Sequence, residues 1–195
     1  MKKKLFIAVL FLIPLCGFSQ TTKPIEGFLG IKFGSSKAAV LAAMRAKGAI
    51  LDTKHARKDA LAFSNVKLGV RRPVAFLVKF VNDKVYEADY VFVPDVEPHT
   101  ISEYNDLVND ITKIYGEGNP TTKYTSPYTE NNDEGDKIVG LKLGNIDFHT
   151  LWFDAKKNTV LVSITTDMTV NLQYQDSVLT DEAIAKQDAQ QKSDF

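Results

Sequence analysis

The sequence predicts an α+β protein, a twisted antiparallel sheet with two helices packed on one face. Three observations lead there. Two segments, 36–47 and 101–115, carry apolar residues at helical spacing, and each stops on a glycine, Gly48 and Gly116. Short runs around them alternate apolar with polar residues, as half-buried strands do. The composition removes the competing classes. One Cys among 195 residues builds neither a disulfide framework nor a Cys-rich zinc module. With 24 Lys+Arg against 24 Asp+Glu there is no field to steer nucleic acid. A chain that is 44% hydrophobic has material for a core and is not disordered throughout. No motif names an activity.

The chain opens with Lys2, Lys3 and Lys4, followed by the apolar run LFIAVLFLIPL over 5–15 and the small residues Gly17 and Ser19. This is the layout of a secretory signal peptide over 1–19, cut after Ser19. The apolar run would rise only about 16 Å as a helix, too short to span a bilayer. Cys16 is read as an ordinary apolar residue of that signal. The alternative is a lipid-bearing Cys, for which Pro14 and Leu15 are poor neighbours, and membrane attachment follows only in that case. Removing 1–19 takes away three of the 24 basic residues and none of the acidic ones. The remaining 176 residues carry net charge −3 and no thiol. The protein is expected to be periplasmic or secreted.

Residues 20–179 read as one α+β domain. Ser35 or Ser36 can cap a helix over 36–47 that buries Val40, Leu41 and Met44. Residues 60–68 read as a strand, and 74–81 with 84–93 as a hairpin about Asn82-Asp83. In its second arm Tyr86, Ala88, Tyr90 and Phe92 alternate with Glu87 and Asp89. Thr100 and Glu103 have capping-box spacing for the helix 101–115, whose apolar stripe is Tyr104, Leu107, Val108, Ile111, Ile114 and Tyr115. Residues 121–136 read as a polar loop. Strands follow at 137–143, 146–153, 159–166 and 168–174. The residues from 180 to 195 form a polar tail, read as a frayed helix or disordered chain. The halves 28–93 and 99–175 follow one order of helix, Gly stop, hairpin and return strand, and read as a tandem α-β repeat on one sheet.

The segment Gly30-Ile-Lys-Phe-Gly34-x-Ser36-x-x-x-Val40 and the helix stop from Tyr115-Gly116 to Pro120 resemble a known pattern. It is that of the small outer-membrane assembly lipoproteins and of the two-repeat secreted inhibitors of beta-lactamase that share their layout. The resemblance implies an envelope protein that binds other proteins with a sheet face and performs no chemistry.

Candidate chemistry is sparse. His55, His99 and His149 have no metal-ligand spacing. Asp147 is close to His149 in sequence but is read as lying on the opposite strand face. Gly34-Ser35-Ser36 lacks the following Gly of a nucleophile elbow, so its serines read as caps. The stretch 130–136 starts with Glu and places Leu141 at the twelfth position of a calcium loop, so it reads as a solvated acidic loop. No catalytic residue, metal site or cofactor is assigned. The strand faces turned away from the core are more informative. They combine Leu77, Leu151 and Phe153 with Lys79, Glu87, Asp89 and His149, and these seven are the candidate binding residues. The expected function is non-enzymatic binding of a protein partner or other envelope ligand through this face. The alternative is a small secreted hydrolase using carboxylates and His149.

Overall fold

A computed structural model describes residues 23–193. The expected signal peptide 1–19, its expected cut after Ser19, and Cys16 lie outside the described residues. The chain enters as a short hairpin, β1 (Gly27–Phe28) and β2 (Ile31–Lys32), turned at Leu29 and Gly30, both at positive φ. Helix α1 (Lys37–Ala46) starts where Ser36 Oγ accepts the Ala39 N–H at 3.3 Å, buries Val40 and Met44, and stops at Gly48 with φ of 77°. Four strands follow: β3 (Ile50–Leu51), β4 (Ala60–Ser64), β5 (Ala75–Val81) and β6 (Lys84–Phe92). Asn82 and Asp83, at φ of 47° and 62°, make the tight β5–β6 turn that two-residue hairpins favour.

The second half again opens on a long helix and goes on into strands. Helix α2 (Thr100–Tyr115) buries Tyr104, Leu107, Ile111 and Tyr115 and ends at Gly116. It is followed by β7 (Asn119–Tyr124), helix α3 (Glu134–Lys142), β8 (Ile146–Phe153), β9 (Thr159–Ile164) and β10 (Val170–Gln175). The eight longer-range strands form one antiparallel sheet, ordered β3-β4-β5-β6-β10-β9-β8-β7. Each half thus contributes four strands after its first helix, with α3 inserted between β7 and β8 in the second, and β6 pairs with β10 to join the halves. One face packs Phe76, Tyr90, Leu172, Val162 and Trp152 against the helices in a single core. Burying side chains of this size contributes roughly 1.5–3 kcal/mol each. The Trp152 indole N–H donates to the Gly116 carbonyl at 2.9 Å, and Tyr104 Oη lies 2.6 Å from Thr150 Oγ1, so α2 is fixed to β8 by polar contacts too.

Several local expectations give way. Residues 137–143 are not a strand. Asp133 caps α3 by accepting the Asp136 N–H at 2.9 Å, and Ile138 and Leu141, one turn apart, are the buried pair. The acidic stretch 130–136 is therefore in part the first turn of that helix, where carboxylates suit the N-terminal dipole. The polar loop contains β7, an exposed edge strand whose Pro120 and Lys123 fit an edge. The strand begun at residue 60 ends at Ser64. Thr100 and Glu103 form no capping box: the Thr100 hydroxyl reaches the Met168 carbonyl at 3.4 Å, and Glu103 pairs with Arg71. Tyr86 leaves the alternation because a bulge lies opposite Lys79/Phe80, so that Val85 and Ala88, not Tyr86, face the core. The polar tail is helix α4 (Ser177–Ser193), packed on β5 and β6, with Glu182 and Lys186 bonded to Asn82 at the hairpin turn.

Candidate functional site

The sheet face turned away from the core is read directly from the strand register; α4 packs on its β5 and β6 strands. Leu77, Asp89, Gln173, Leu161 and Leu151 are successive partners across β5, β6, β10, β9 and β8. Lys79, Glu87, Gln175, Thr159 and Phe153 form the adjoining row. Six of the seven candidate residues therefore sit in two neighbouring rows, because residues two apart on a strand share a face. His149 lies in a third row with Ser163, Asn171 and Val91. It is three strands from the row partners on β6, roughly 14 Å at ordinary strand spacing.

At the centre is an ion cluster. The Lys79 ammonium pairs with Glu87 and lies 3.3 Å from Asp89 Oδ2. Gln173 Nε2 donates to Asp89 Oδ1 at 2.9 Å and Gln175 Nε2 to Glu87 Oε2 at 2.6 Å. Glu87 is only 4% exposed. Burial alone would raise its pKa, but the bonds from Lys79 and Gln175 outweigh burial and hold it below the usual carboxylate value. Asp89 goes the other way, to about 6, because burial and the neighbouring Glu87 charge both oppose its ionisation. Burial would lower the Lys79 pKa, but the Glu87 bond and the two carboxylate charges raise it instead. The cluster thus holds one firm cation, one firm anion and one carboxyl that gains a proton in mild acid. Leucines on both flanks and half-buried Phe153 make the rest of the two rows apolar apart from Thr159.

Asp147 and His149 share a strand face, contrary to the sequence expectation; His149 Nδ1 is 3.3 Å from Asp147 Oδ2. Two residues along a strand is one full side-chain period. Glu87 and Asp89 both face the Lys79 ammonium and each also accepts from a glutamine, which is not the arrangement of an acid and a base standing apart across a sugar. Among the described residues no group of three or more His, Cys, Asp or Glu is placed to hold a metal ion. No described helix is long and apolar enough to cross a membrane. Sequence reasoning passed over Gln173 and Gln175. Their signal was the alternation in β10, which sets them on the face opposite Leu172 and Tyr174.

Compared with protein-family models, curated proteins and solved structures, the chain matches none.

Proposed function

We propose that this is an exported, non-enzymatic binding protein of the cell envelope that holds a protein partner or other envelope ligand on its open sheet face. The observation that carries the reading is the pair of adjoining rows, in which a cluster of ions mostly paired with one another is flanked by Leu77, Leu151, Leu161 and Phe153. Such a face offers apolar area for association with polar groups that set orientation. Export rests on the basic start, the eleven-residue apolar run and the cut after Ser19, which make the protein periplasmic or secreted. The resemblance to the assembly lipoproteins and two-repeat inhibitors points the same way. The hydrolase alternative is weakened by the distance of His149 from Asp89 and by the engagement of both carboxyls with Lys79 and the two glutamines.

The test is affinity capture from envelope extract with the chain from Gln20 onward, beside a Leu151→Asp/Phe153→Asp double variant. A partner retained by the wild type and lost by the variant supports the reading. No reproducible partner, or equal recovery by both, rejects it.

A further inference from the structure

At the C-terminal end of α1 the chain leaves a small hollow that none of the seven sheet-face residues lines. Its volume is about 280 Å³, and its walls are Leu29, Met44, Lys47, Ala49, Val66 and Lys67. Four stretches meet there: the turn of the β1–β2 hairpin, the last turn of α1, the entry to β3 and the chain leaving β4. Their meeting is fixed locally. Gly48, at φ of 77°, reverses the chain after α1, and the N–H groups of Gly48 and Ala49 donate back to the Arg45 and Met44 carbonyls at 2.9 and 3.0 Å. Asn65 Nδ2 donates to the Gly48 carbonyl at 2.8 Å, which ties the chain leaving β4 to that reversal.

The walls divide by chemistry. Met44, Ala49 and Val66 are buried and Leu29 is half-buried, so the inner part is apolar. Lys47 and Lys67 are exposed. Neither ammonium has an ion-pair partner among the described residues, and no acidic residue lines the hollow. A helix C-terminus ordinarily opposes an anion through its free carbonyls. Here the carbonyls of Ala43, Met44 and Arg45 already accept the N–H groups of Lys47, Gly48 and Ala49, which removes much of that opposition.

We propose that this hollow binds a small carboxylic acid with an aliphatic body, its chain against Met44, Ala49 and Val66 and its carboxylate at the Lys47 and Lys67 ammonium groups. A volume of about 280 Å³ stands at the lower end of small-molecule sites, so the chain is of medium length at most. A cationic amphiphile would meet two like charges. Free phosphate or sulfate would gain only at the exposed lysines, where ion pairs are weak. The carboxylate with an apolar chain is the class that uses both parts of the wall.

The test labels the methionine methyls of the protein with carbon-13 and adds octanoate at pH 7.5 and low salt. Met44 lines the hollow. Met168 precedes β10, three strand spacings or roughly 14 Å from β4, and serves as the internal control. Octanoate should move the Met44 signal saturably and leave Met168 in place. Butanoate, with its shorter chain, should bind at least about tenfold more weakly. 1-Octanol should be about tenfold weaker than octanoate, and octylammonium should not bind. Lys47→Gln/Lys67→Gln changes two exposed side chains and should weaken octanoate about tenfold while leaving 1-octanol unchanged. A Met44 signal that stays in place, or that moves together with Met168, overturns the site. Equal binding of octanoate and 1-octanol, or an octanoate affinity unchanged in the double variant, overturns the role of the lysines. Butanoate that matches octanoate overturns the apolar contact. Should the double variant lose 1-octanol as well, the hollow itself has changed, and the wild-type ratio of octanoate to 1-octanol decides.

Discussion

The Asp154 carboxylate accepts the backbone N–H of Ile25 at 3.0 Å, tying the start of the described chain to the turn between β8 and β9. The bond is one of a set. Asp154 Oδ1 also accepts the N–H of Lys156 at 2.9 Å and of Asn158 at 3.0 Å, and Asn158 Nδ2 donates back to the Ile25 carbonyl at 2.9 Å. Ile25, Asp154 and Asn158 are buried while Lys156 is exposed, so the Ile25 and Asn158 amides are the ones with little access to water. Asp154→Ala leaves three N–H groups without their acceptor and should cost about 3 kcal/mol, measured by urea unfolding. Loss of Ile25 amide protection in hydrogen exchange should accompany it.

Asp89 should titrate near 6 in the folded protein, readable by carboxyl carbon NMR. Its raised pKa means that the folded state binds this proton more tightly than the unfolded chain. The stability this proton contributes is complete below pH about 4 and is lost as pH rises through about 6. Asp89→Asn imitates the protonated carboxyl, keeping its shape and placing no charge beside Glu87. The variant should be more stable than wild type at pH 7.5, on the order of 2 kcal/mol, and indistinguishable from it at pH 4.

Lys79→Met removes the cation that faces both carboxylates. Glu87, already 4% exposed, would be left with Gln175 and with Asp89 competing for charge. Stripping one partner from a buried pair is costly, and about 2 kcal/mol at pH 7.5 is expected. Denaturation at pH 4.5 should show a smaller loss, because protonation relieves the surplus negative charge. A loss independent of pH would mean that the aliphatic stem of Lys79, not its charge, carries the effect.

Gly118→Ala tests the packing of α2 on the sheet. A Cβ at this position would sit 2.5 Å from the Trp152 ring and 2.6 Å from the Thr150 methyl. Trp152 is fully buried and anchored through its indole N–H, so it has no room to retreat. A loss of about 2 kcal/mol in thermal or urea unfolding is expected, as for other overpacked sites.

Where the sequence spoke through a local device, the structure followed it. Ser36 caps α1, Gly48 and Gly116 stop the helices, and Asn82-Asp83 turns the hairpin, each for reasons contained within a few residues. The period of two in β5, β6, β8 and β10 placed six candidate residues in two adjoining rows. Their assembly into an ion cluster needed the β6–β10 pairing, which no local pattern encodes. The run Ile138 to Leu143 is too short and too apolar for periodicity to separate strand from helix; the Asp133 cap decided it. β7 gave no signal because an exposed edge strand has no apolar face to alternate. Thr100 has the side chain of a cap but is drawn to the Met168 carbonyl, a contact that tertiary packing alone creates.

The strand that completes the middle of the sheet, β10, is also the last to leave any chain that emerges N-terminus first. Until it arrives, β6 is an open edge with its core side chains Ala88, Tyr90 and Phe92 lacking a neighbour on that side. The first half can form its own meander, but it waits for the second half with a sticky border exposed. Chains truncated before residue 170 should therefore associate with one another through β6, while the finished protein has that border sealed within the sheet.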